Sequence, residues 1–160
     1  MGVPAPWTEQ DKSGVYRELE HPADLWLEIR GDDPAGLCEN GLYALYASMV
    51  GAEGVRPSEE RTLVAEGADL GEALRGLLAE ALYRFDTEGF VGAAAAVQVE
   101  WETSSETEPS RVAACARVWG EILDPGRHEP LAEIKAVTYH LLAAAPDPGG
   151  GWRATVLFDL

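Results

Sequence analysis

Two aspartates stand at the ends of predicted strands, each beside apolar residues. Asp24 opens a strand just after the bend at Pro22, and Asp159 ends the last strand of the sequence. If these strand ends are neighbours, the two carboxylates repel each other unless a cation lies between them. Hard oxygen ligands of this kind select Ca²⁺ or Mg²⁺ over soft metals. The spacing therefore offers a cation site as one hypothesis, with a solvated surface as its alternative.

The remaining acids and the histidines give less support for a functional site. Mid-strand acids such as Glu28 usually face solvent. The three histidines lie far apart in the sequence, at His21, His128 and His140. A three-histidine metal site therefore has no close spacing to support it. His140 lies among apolar residues, which favours a partly buried structural role.

Motifs for covalent or nucleotide chemistry are absent from the sequence. No serine lies in a Gly-x-Ser-x-Gly elbow, and neither a P-loop nor a dinucleotide-binding glycine loop is present. Cys38 and Cys115 are the only cysteines, too few for a structural zinc site, and both are expected to be core thiols. The sequence thus gives no support to nucleophilic catalysis.

The charge balance restricts the possible partners. With 28 acidic and 12 basic residues the net charge is −16, which repels phosphate backbones and argues against strong direct binding of nucleic acid. The charge is either a solubilising surface or the counterpart of a cation or a basic protein. No apolar run is long enough to span a membrane, and the N-terminus lacks the features of a secretory signal. We expect a cytoplasmic protein.

The order of elements indicates the fold class. Residues 1–14 are polar and rich in Pro and Gly, which predicts a mobile tail, and residues 15–160 are expected to form one domain. Strand, helix, strand and helix precede a run of strands. Leu25, Leu27 and Ile29 alternate with Trp26, Glu28 and Arg30, which predicts a strand. The helices are predicted near 32–51 and 68–90, with Asp33 and Asp69 as their caps. This pattern predicts an α+β fold: a two-layer sandwich with a largely antiparallel or mixed sheet and two or three helices on one face. Residues 132–145 are ambiguous, but their β-branched residues favour strand.

Four segments carry a resemblance to a known family. "EHPADLWLEIRGDDPAGLCENGLYALYASMVG" resembles the opening of the archease family, with its His-x-Ala-Asp element, and "LLAEALYRFDTEGF" resembles its second helix. "GEILDPGRHEPLAEIKAVTYH" and the closing "GWRATVLFDL" resemble its later segments. The match runs in order from about Glu20 to Leu160. Pro22 stands where family members often have Thr, a change that leaves Asp24 in place.

The resemblance implies a function and a site. Archeases assist the GTP-dependent RNA ligase that joins 2′,3′-cyclic-phosphate or 3′-phosphate ends to 5′-hydroxyl ends in tRNA splicing and RNA repair. They promote guanylylation and multiple turnover of the ligase and do not ligate RNA themselves. By the same resemblance, Asp24, Asp159 and an oxygen of Leu160 hold a divalent metal, Ca²⁺ in the first place and Mg²⁺ or Mn²⁺ as alternatives.

The resemblance also marks a functional or partner-binding surface, whose members have less defined roles: His21, Lys135, Arg127 and His128. Two other functions stay open at this point. One is a stand-alone metal-dependent hydrolase that uses Asp24, His21 and Asp159, although no nucleophile or set of general bases is evident. The other is a metal-binding, chaperone-like module.

Overall fold

The fold is described by a computed structural model that covers residues 2–51, 53–102 and 110–160. The polar hairpin loop predicted at 103–110 falls almost entirely outside these residues. The helices are α1 (Pro34–Met49) and α2 (Leu70–Glu88). The strands, in chain order, are β1 (Tyr16–Leu19), β2 (Leu25–Gly31), β3 (Glu59–Gly67), β4 (Phe90–Glu102), β5 (Arg111–Ile122), β6 (Ala136–Val137), β7 (Ala143–Pro146) and β8 (Trp152–Asp159).

The strands form two antiparallel sheets. The first has the order β1-β2-β8-β6, with β7 also paired to β8, and the second has the order β3-β5-β4. Both helices contact strands of both sheets, so that one cluster of buried side chains joins all the layers. The predicted α+β class with antiparallel strands and two helices is confirmed.

Both helices begin at the residues that the sequence indicates. Asp33 caps α1 and accepts a hydrogen bond from the Gly36 N–H at 2.6 Å. Asp69 caps α2 and accepts from the Glu72 N–H at 2.9 Å, while the Glu72 carboxylate accepts from the Ala68 N–H. These contacts satisfy backbone donors that the first turn of a helix leaves free. None of the helices in the described ranges is long and apolar enough to cross a membrane.

The N-terminal segment is anchored to the core by Trp7 and bonded to α1 by Lys12, whose Nζ donates to Glu39 and Asn40. Trp7 is 6% exposed and belongs to the core cluster. Its backbone N–H donates to the Ala93 carbonyl at 2.7 Å, and its ring lies edge-on to Tyr43 of α1. Mobility of residues 1–14 stays a prediction, but the segment is fixed to the core at Trp7.

The ambiguous segment 132–145 is only partly strand. β6 and β7 both pair with the same edge of β8, and the Thr138 N–H still donates to the Leu157 carbonyl at 3.0 Å, so that residues 139–142 interrupt the pairing. The interruption contains Leu141, whose φ of 58° is incompatible with a continuous strand. We call residues 139–142 the bulge.

The two cysteines differ in their surroundings. Cys38 of α1 is fully buried, as predicted, and burial raises the pKa of its thiol to about 12. Cys115 lies on β5 and is only half-buried, so the prediction of a core thiol is wrong for this residue. Its side chain alternates with those that β5 directs into the core, such as Ala114 and Ala116.

Candidate metal centre

The register of β2 and β8 brings Asp24 and Asp159 to the same place. Leu25 pairs with Phe158 as the last residue pair of β2 and β8, and Asp24 and Asp159 flank that pair in the sequence. On the other side of β8, Asp159 pairs with Ala136 of β6. The end of β8 therefore lies between the start of β2 and β6, and the two strand ends that carry the aspartates are neighbours.

The two aspartates also share a face of the sheet. Leu25, Leu27 and Ile29 of β2 are buried in the core, which directs the alternate residues, including Asp24, to the opposite face. Directly opposed residues of antiparallel strands point to the same side, so Asp159 lies on the face of Asp24. The Asp24 side chain is 28% exposed and Asp159 is exposed, which leaves both open to an ion from solvent.

A tight turn presents Asp24. Residues 21–24 connect β1 to β2, with Pro22 at the second position of the turn and Ala23 in the left-handed region at φ 65°. These are the features of a type II turn, in which the third position favours glycine. The turn brings His21 Nδ1 to 3.4 Å from Asp24 Oδ2. His21 is thus a direct neighbour of the aspartate that the resemblance assigns to the metal.

The His21 ring links the turn to the bulge. It lies edge-on to Trp26, with ring centroids 6.2 Å apart, and its centroid is 6.5 Å from that of His140. Among the described residues, the buried atoms His21 Nδ1 and Trp26 Nε1 find no hydrogen-bond partner. His140 was expected to be partly buried, but it is exposed because the bulge carries it away from the edge of β8. The prediction of a partly buried His140 is therefore wrong.

Backbone strain is concentrated at this point of the molecule. Within the described ranges, Ala23 and Leu141 are the only residues other than glycine with positive φ. Ala23 precedes Asp24, and Leu141 follows His140. Such conformations cost free energy and persist where the surrounding structure holds them, often at functional sites. The two strained residues therefore lie in the same region as the strand ends that carry Asp24 and Asp159.

The donor set fits a hard cation in part. Carboxylates of Asp24 and Asp159 and an oxygen of Leu160 are the ligands that Ca²⁺, Mg²⁺ and Mn²⁺ accept. In the part of the chain that the structure describes, no group of three or more His, Cys, Asp or Glu side chains is placed to hold a metal. Side chains would therefore supply two carboxylates, and main-chain oxygens and water would have to complete the coordination.

Lys135 lies next to this pair. Its backbone N–H donates to the Asp159 carbonyl at 2.7 Å, and the next residue, Ala136, pairs with Asp159 in the sheet. It is exposed, and no ion pair involving it occurs among the described residues. Lys135 is therefore brought to the site by a direct backbone contact.

Arg127 and His128 belong to a different cluster, centred on Glu121 at the end of β5. The Arg127 guanidinium pairs with the Glu121 carboxylate, and His128 Nε2 lies 3.4 Å from Glu121 Oε2. Burial raises the pKa of Glu121, but hydrogen bonds from the Arg56 N–H and from Arg127 outweigh it and hold that pKa below its ordinary value. The structure shows no contact between this cluster and Asp24 or Asp159. Sequence analysis missed Glu121, which looks like an ordinary acid at a strand end.

The environment of Glu28 also differs from the prediction. It was expected to face solvent, but it is 5% exposed. Arg17 of β1 and Arg30 of β2 cover it and bind its carboxylate, Arg17 through Nε at 3.0 Å and Arg30 through Nη2 at 3.2 Å. The Arg17 hydrogen bond lowers the pKa of Glu28 against the opposing effect of burial. An acid in mid-strand can thus be buried when cross-strand arginines cover it.

A cavity of about 530 Å³ lies at the other end of β2. Its walls include Lys12, Arg30, Asp33 and Asp147, and it contains none of the predicted site residues. Both of its basic side chains are paired with acids of its own walls, Arg30 Nη1 with Asp147 Oδ2 at 3.4 Å and Lys12 Nζ with Glu39 Oε2 at 2.5 Å. The geometry therefore favours the Asp24–Asp159 end of the sheet as the functional site.

Comparison with known proteins agrees with the resemblance seen in the sequence. The model of the Archease protein family (MTH1598/TM1083) matches residues 16–160. The archease of Pyrococcus abyssi is 34% identical over 145 residues, which cover 91% of this chain and 98% of that protein. The archease of Methanopyrus kandleri is 33% identical, with 91% of this chain and 99% of that protein covered.

A solved structure shares the fold. The solution structure of protein 1598 from Methanobacterium thermoautotrophicum superimposes with a TM-score of 0.69 at 26% identity, and the match covers 91% of this chain and 99% of that one. The family match spans every helix and strand described above, including both strand ends that carry Asp24 and Asp159. The chain belongs to the archease family.

Proposed function

We propose that this archease activates a GTP-dependent RNA ligase, using a divalent cation held by Asp24 and Asp159. The ligase would be the enzyme that joins 2′,3′-cyclic-phosphate or 3′-phosphate ends to 5′-hydroxyl ends in tRNA splicing and RNA repair. The archease would promote transfer of GMP to the ligase and renew it for further turnovers. The observation that supports the proposal is the register of β2 and β8, whose last pair, Leu25 with Phe158, is flanked by Asp24 and Asp159.

The two carboxylates and an oxygen of Leu160 would hold the cation, with Ca²⁺ the first choice and Mg²⁺ or Mn²⁺ as alternatives. When bound, the cation would neutralise the repulsion between the two aspartates and fix the start of β2 against the end of β8. His21 contacts Asp24 and would orient its carboxylate. Lys135, whose backbone is bonded to Asp159, would offer a positive charge at the edge of the site.

The charge of the chain supports a protein partner. A net charge of −16 favours approach to a basic, RNA-binding ligase and disfavours direct binding of RNA. The sequence has no nucleotide-binding loop, so the archease would act as an accessory protein and the chemistry would remain with the ligase. A cytoplasmic location accords with this role and stays an expectation.

A guanylylation assay tests the proposal. Labelled GTP is incubated with the ligase from the same organism, alone and with substoichiometric archease, and labelled ligase and joined RNA are measured over many turnovers. We expect stimulation by the wild type and none by Asp159→Asn. Asp32→Asn, which removes an exposed carboxylate just after the other end of β2, should stimulate normally. A wild-type chain that leaves the ligase unaffected, or that cleaves RNA by itself, would overturn the proposal and in the second case favour the hydrolase.

A further inference from the structure

An irregular segment runs from β5 to the metal centre. We call residues 123–135 the strap, since they connect the end of β5 to β6 without regular secondary structure. Four of its backbone N–H groups donate to carbonyls outside it: Leu123 to Gly89 at 2.7 Å, Leu131 to Met49 at 2.8 Å, Ala132 to Ser48 at 3.0 Å and Lys135 to Asp159 at 2.7 Å. The bonds from Leu131 and Ala132 satisfy carbonyls that the last turn of α1 leaves free. The strap therefore joins the end of α1 to the backbone of a proposed metal ligand.

The other end of the strap is tied to a buried carboxylate. Glu121 is 7% exposed and lies just before the strap. It accepts hydrogen bonds from the backbone N–H of Arg56 and from the guanidinium of Arg127, and Arg127 also donates to the Gly54 carbonyl at 3.2 Å. Glu121 thus ties together three parts of the chain: the end of β5, the segment before β3 and the strap.

His128 completes the attachment. It is 5% exposed, and its Nδ1 accepts a hydrogen bond from the Asp124 N–H at 2.8 Å. A neutral ring therefore carries its proton on Nε2, the nitrogen 3.4 Å from Glu121 Oε2. The His128 N–H donates to the Asp124 carbonyl at 2.7 Å, which closes the first turn of the strap. The buried imidazole thus holds this turn through Nδ1, while among the described residues Nε2 makes no hydrogen bond and only lies close to the Glu121 carboxylate.

We infer that Glu121 is a positioning residue for the metal centre, acting through the strap on Lys135 and on the backbone of Asp159. A buried carboxylate is stable only when its partners are in place, so Glu121 selects one position of Arg127 and His128. From there the strap reaches Lys135 in a few residues, with Ile134 buried in the core on the way. The consequence for ligase activation rests on the proposed function, whereas the positioning itself does not.

Amide hydrogen exchange tests the inference with Glu121→Gln. The amide side chain of glutamine offers one acceptor oxygen where the carboxylate offers two, so either Arg127 or the Arg56 N–H loses its partner. We expect exchange at the amides of Leu131, Ala132 and Lys135 to rise about tenfold or more relative to the amides of β8. Glu28→Gln is the matched control, because it removes an equally buried, arginine-bound carboxylate outside the strap, and it should leave the three amides unchanged.

Equal exchange at the three amides in wild type and Glu121→Gln, or an equal rise in Glu28→Gln, would overturn the inference. If Glu121→Gln does not fold, Arg127→Gln is the variant to compare with wild type, because the Arg127 side chain is 30% exposed and its loss creates no core cavity. It should raise exchange at the same amides by a smaller factor, and an unchanged pattern would again overturn the inference.

The ligase assay separates the two proposals. If the wild type stimulates the ligase, Glu121→Gln should reduce stimulation and Glu28→Gln should not. Equal stimulation by both variants would contradict the positioning role. If the wild type has no effect on the ligase, the proposed function fails, and the amide comparison still decides whether Glu121 positions the strap.

Discussion

Asp24 and Asp159 flank Leu25 and Phe158, the last residue pair of β2 and β8, and so lie at the same end of these paired strands although 134 residues separate them in the sequence. The pairing places two carboxylates on one face of the sheet, next to a strained turn and beside the backbone contact of Lys135 with Asp159. Neither aspartate has an arginine or lysine partner among the described ion pairs. The two carboxylates therefore concentrate negative charge at a place that is accessible to a cation from solvent.

Asp24→Ala should abolish stimulation of the ligase and leave the fold intact. Asp24 lies in a turn at the surface, so its removal opens no core cavity, and the free energy of unfolding should change by no more than about 0.5 kcal/mol. Guanylylated ligase and circular dichroism are measured on the same preparation, with Asp32→Ala as the control. Full stimulation by folded Asp24→Ala would remove Asp24 from the site.

Ala23→Gly should stabilise the protein. A left-handed conformation costs a residue with Cβ roughly 1–2 kcal/mol, whereas the extra freedom of glycine in the unfolded chain costs about 0.4–1 kcal/mol. The relief of strain therefore exceeds the entropic cost of glycine, and the free energy of unfolding measured in urea should rise by about 0.5–1 kcal/mol. Ala79→Gly in α2 should instead lose about 1 kcal/mol. A loss of stability at position 23 would mean that the turn does not have the described conformation.

Glu28 should make stability depend on pH. Its pKa in the folded protein is below the ordinary 4.5, so its contribution is complete above the ordinary value and is lost as the pH falls through the folded pKa. Glu28→Gln should cost about 1–2 kcal/mol at about pH 7, and the difference from wild type should shrink at about pH 3.5. Urea unfolding at the two pH values measures both. A difference that is the same at both would show that ionised Glu28 adds no stability.

The two thiols should react at different rates. Cys115 is half-buried on the outer side of β5, whereas Cys38 is fully buried and its raised pKa of about 12 keeps it protonated. A chromogenic disulfide reagent should label one thiol per native chain, and two in urea. Cys115→Ser should remove the native reaction. Rapid reaction of Cys38 in the folded chain would contradict its placement in the core.

Local patterns in the sequence were sufficient for part of this structure. The alternation of Leu25, Leu27 and Ile29 predicted β2, and Asp33 and Asp69 predicted the starts of the two helices, because each depends on neighbouring residues alone. Asp24 and Asp159 were proposed as a pair on the condition that their strand ends are neighbours. The register supplies that condition, and the metal itself stays a prediction.

Other features depend on partners that are distant in the sequence. Glu28 is buried because Arg17 from β1 lies across it, and mid-strand position alone indicates a solvent-facing acid. Glu121 meets Arg56, which is 65 residues away. The bulge interrupts a segment whose β-branched residues favour strand, because only parts of it pair with the edge of β8. Such contacts are decided by tertiary structure, which single-sequence patterns do not contain.

Calorimetric titration of Ca²⁺ tests the central claim, that Asp24 and Asp159 share one cation site. We expect the wild type to bind Ca²⁺ and each of Asp24→Asn and Asp159→Asn to weaken its affinity by about tenfold or more, since each removes one charged ligand. Asp32→Asn, with the same loss of charge outside the site, should bind like wild type. If Asp159→Asn and wild type bind Ca²⁺ equally, or if neither binds any divalent cation, the two aspartates do not form a metal centre.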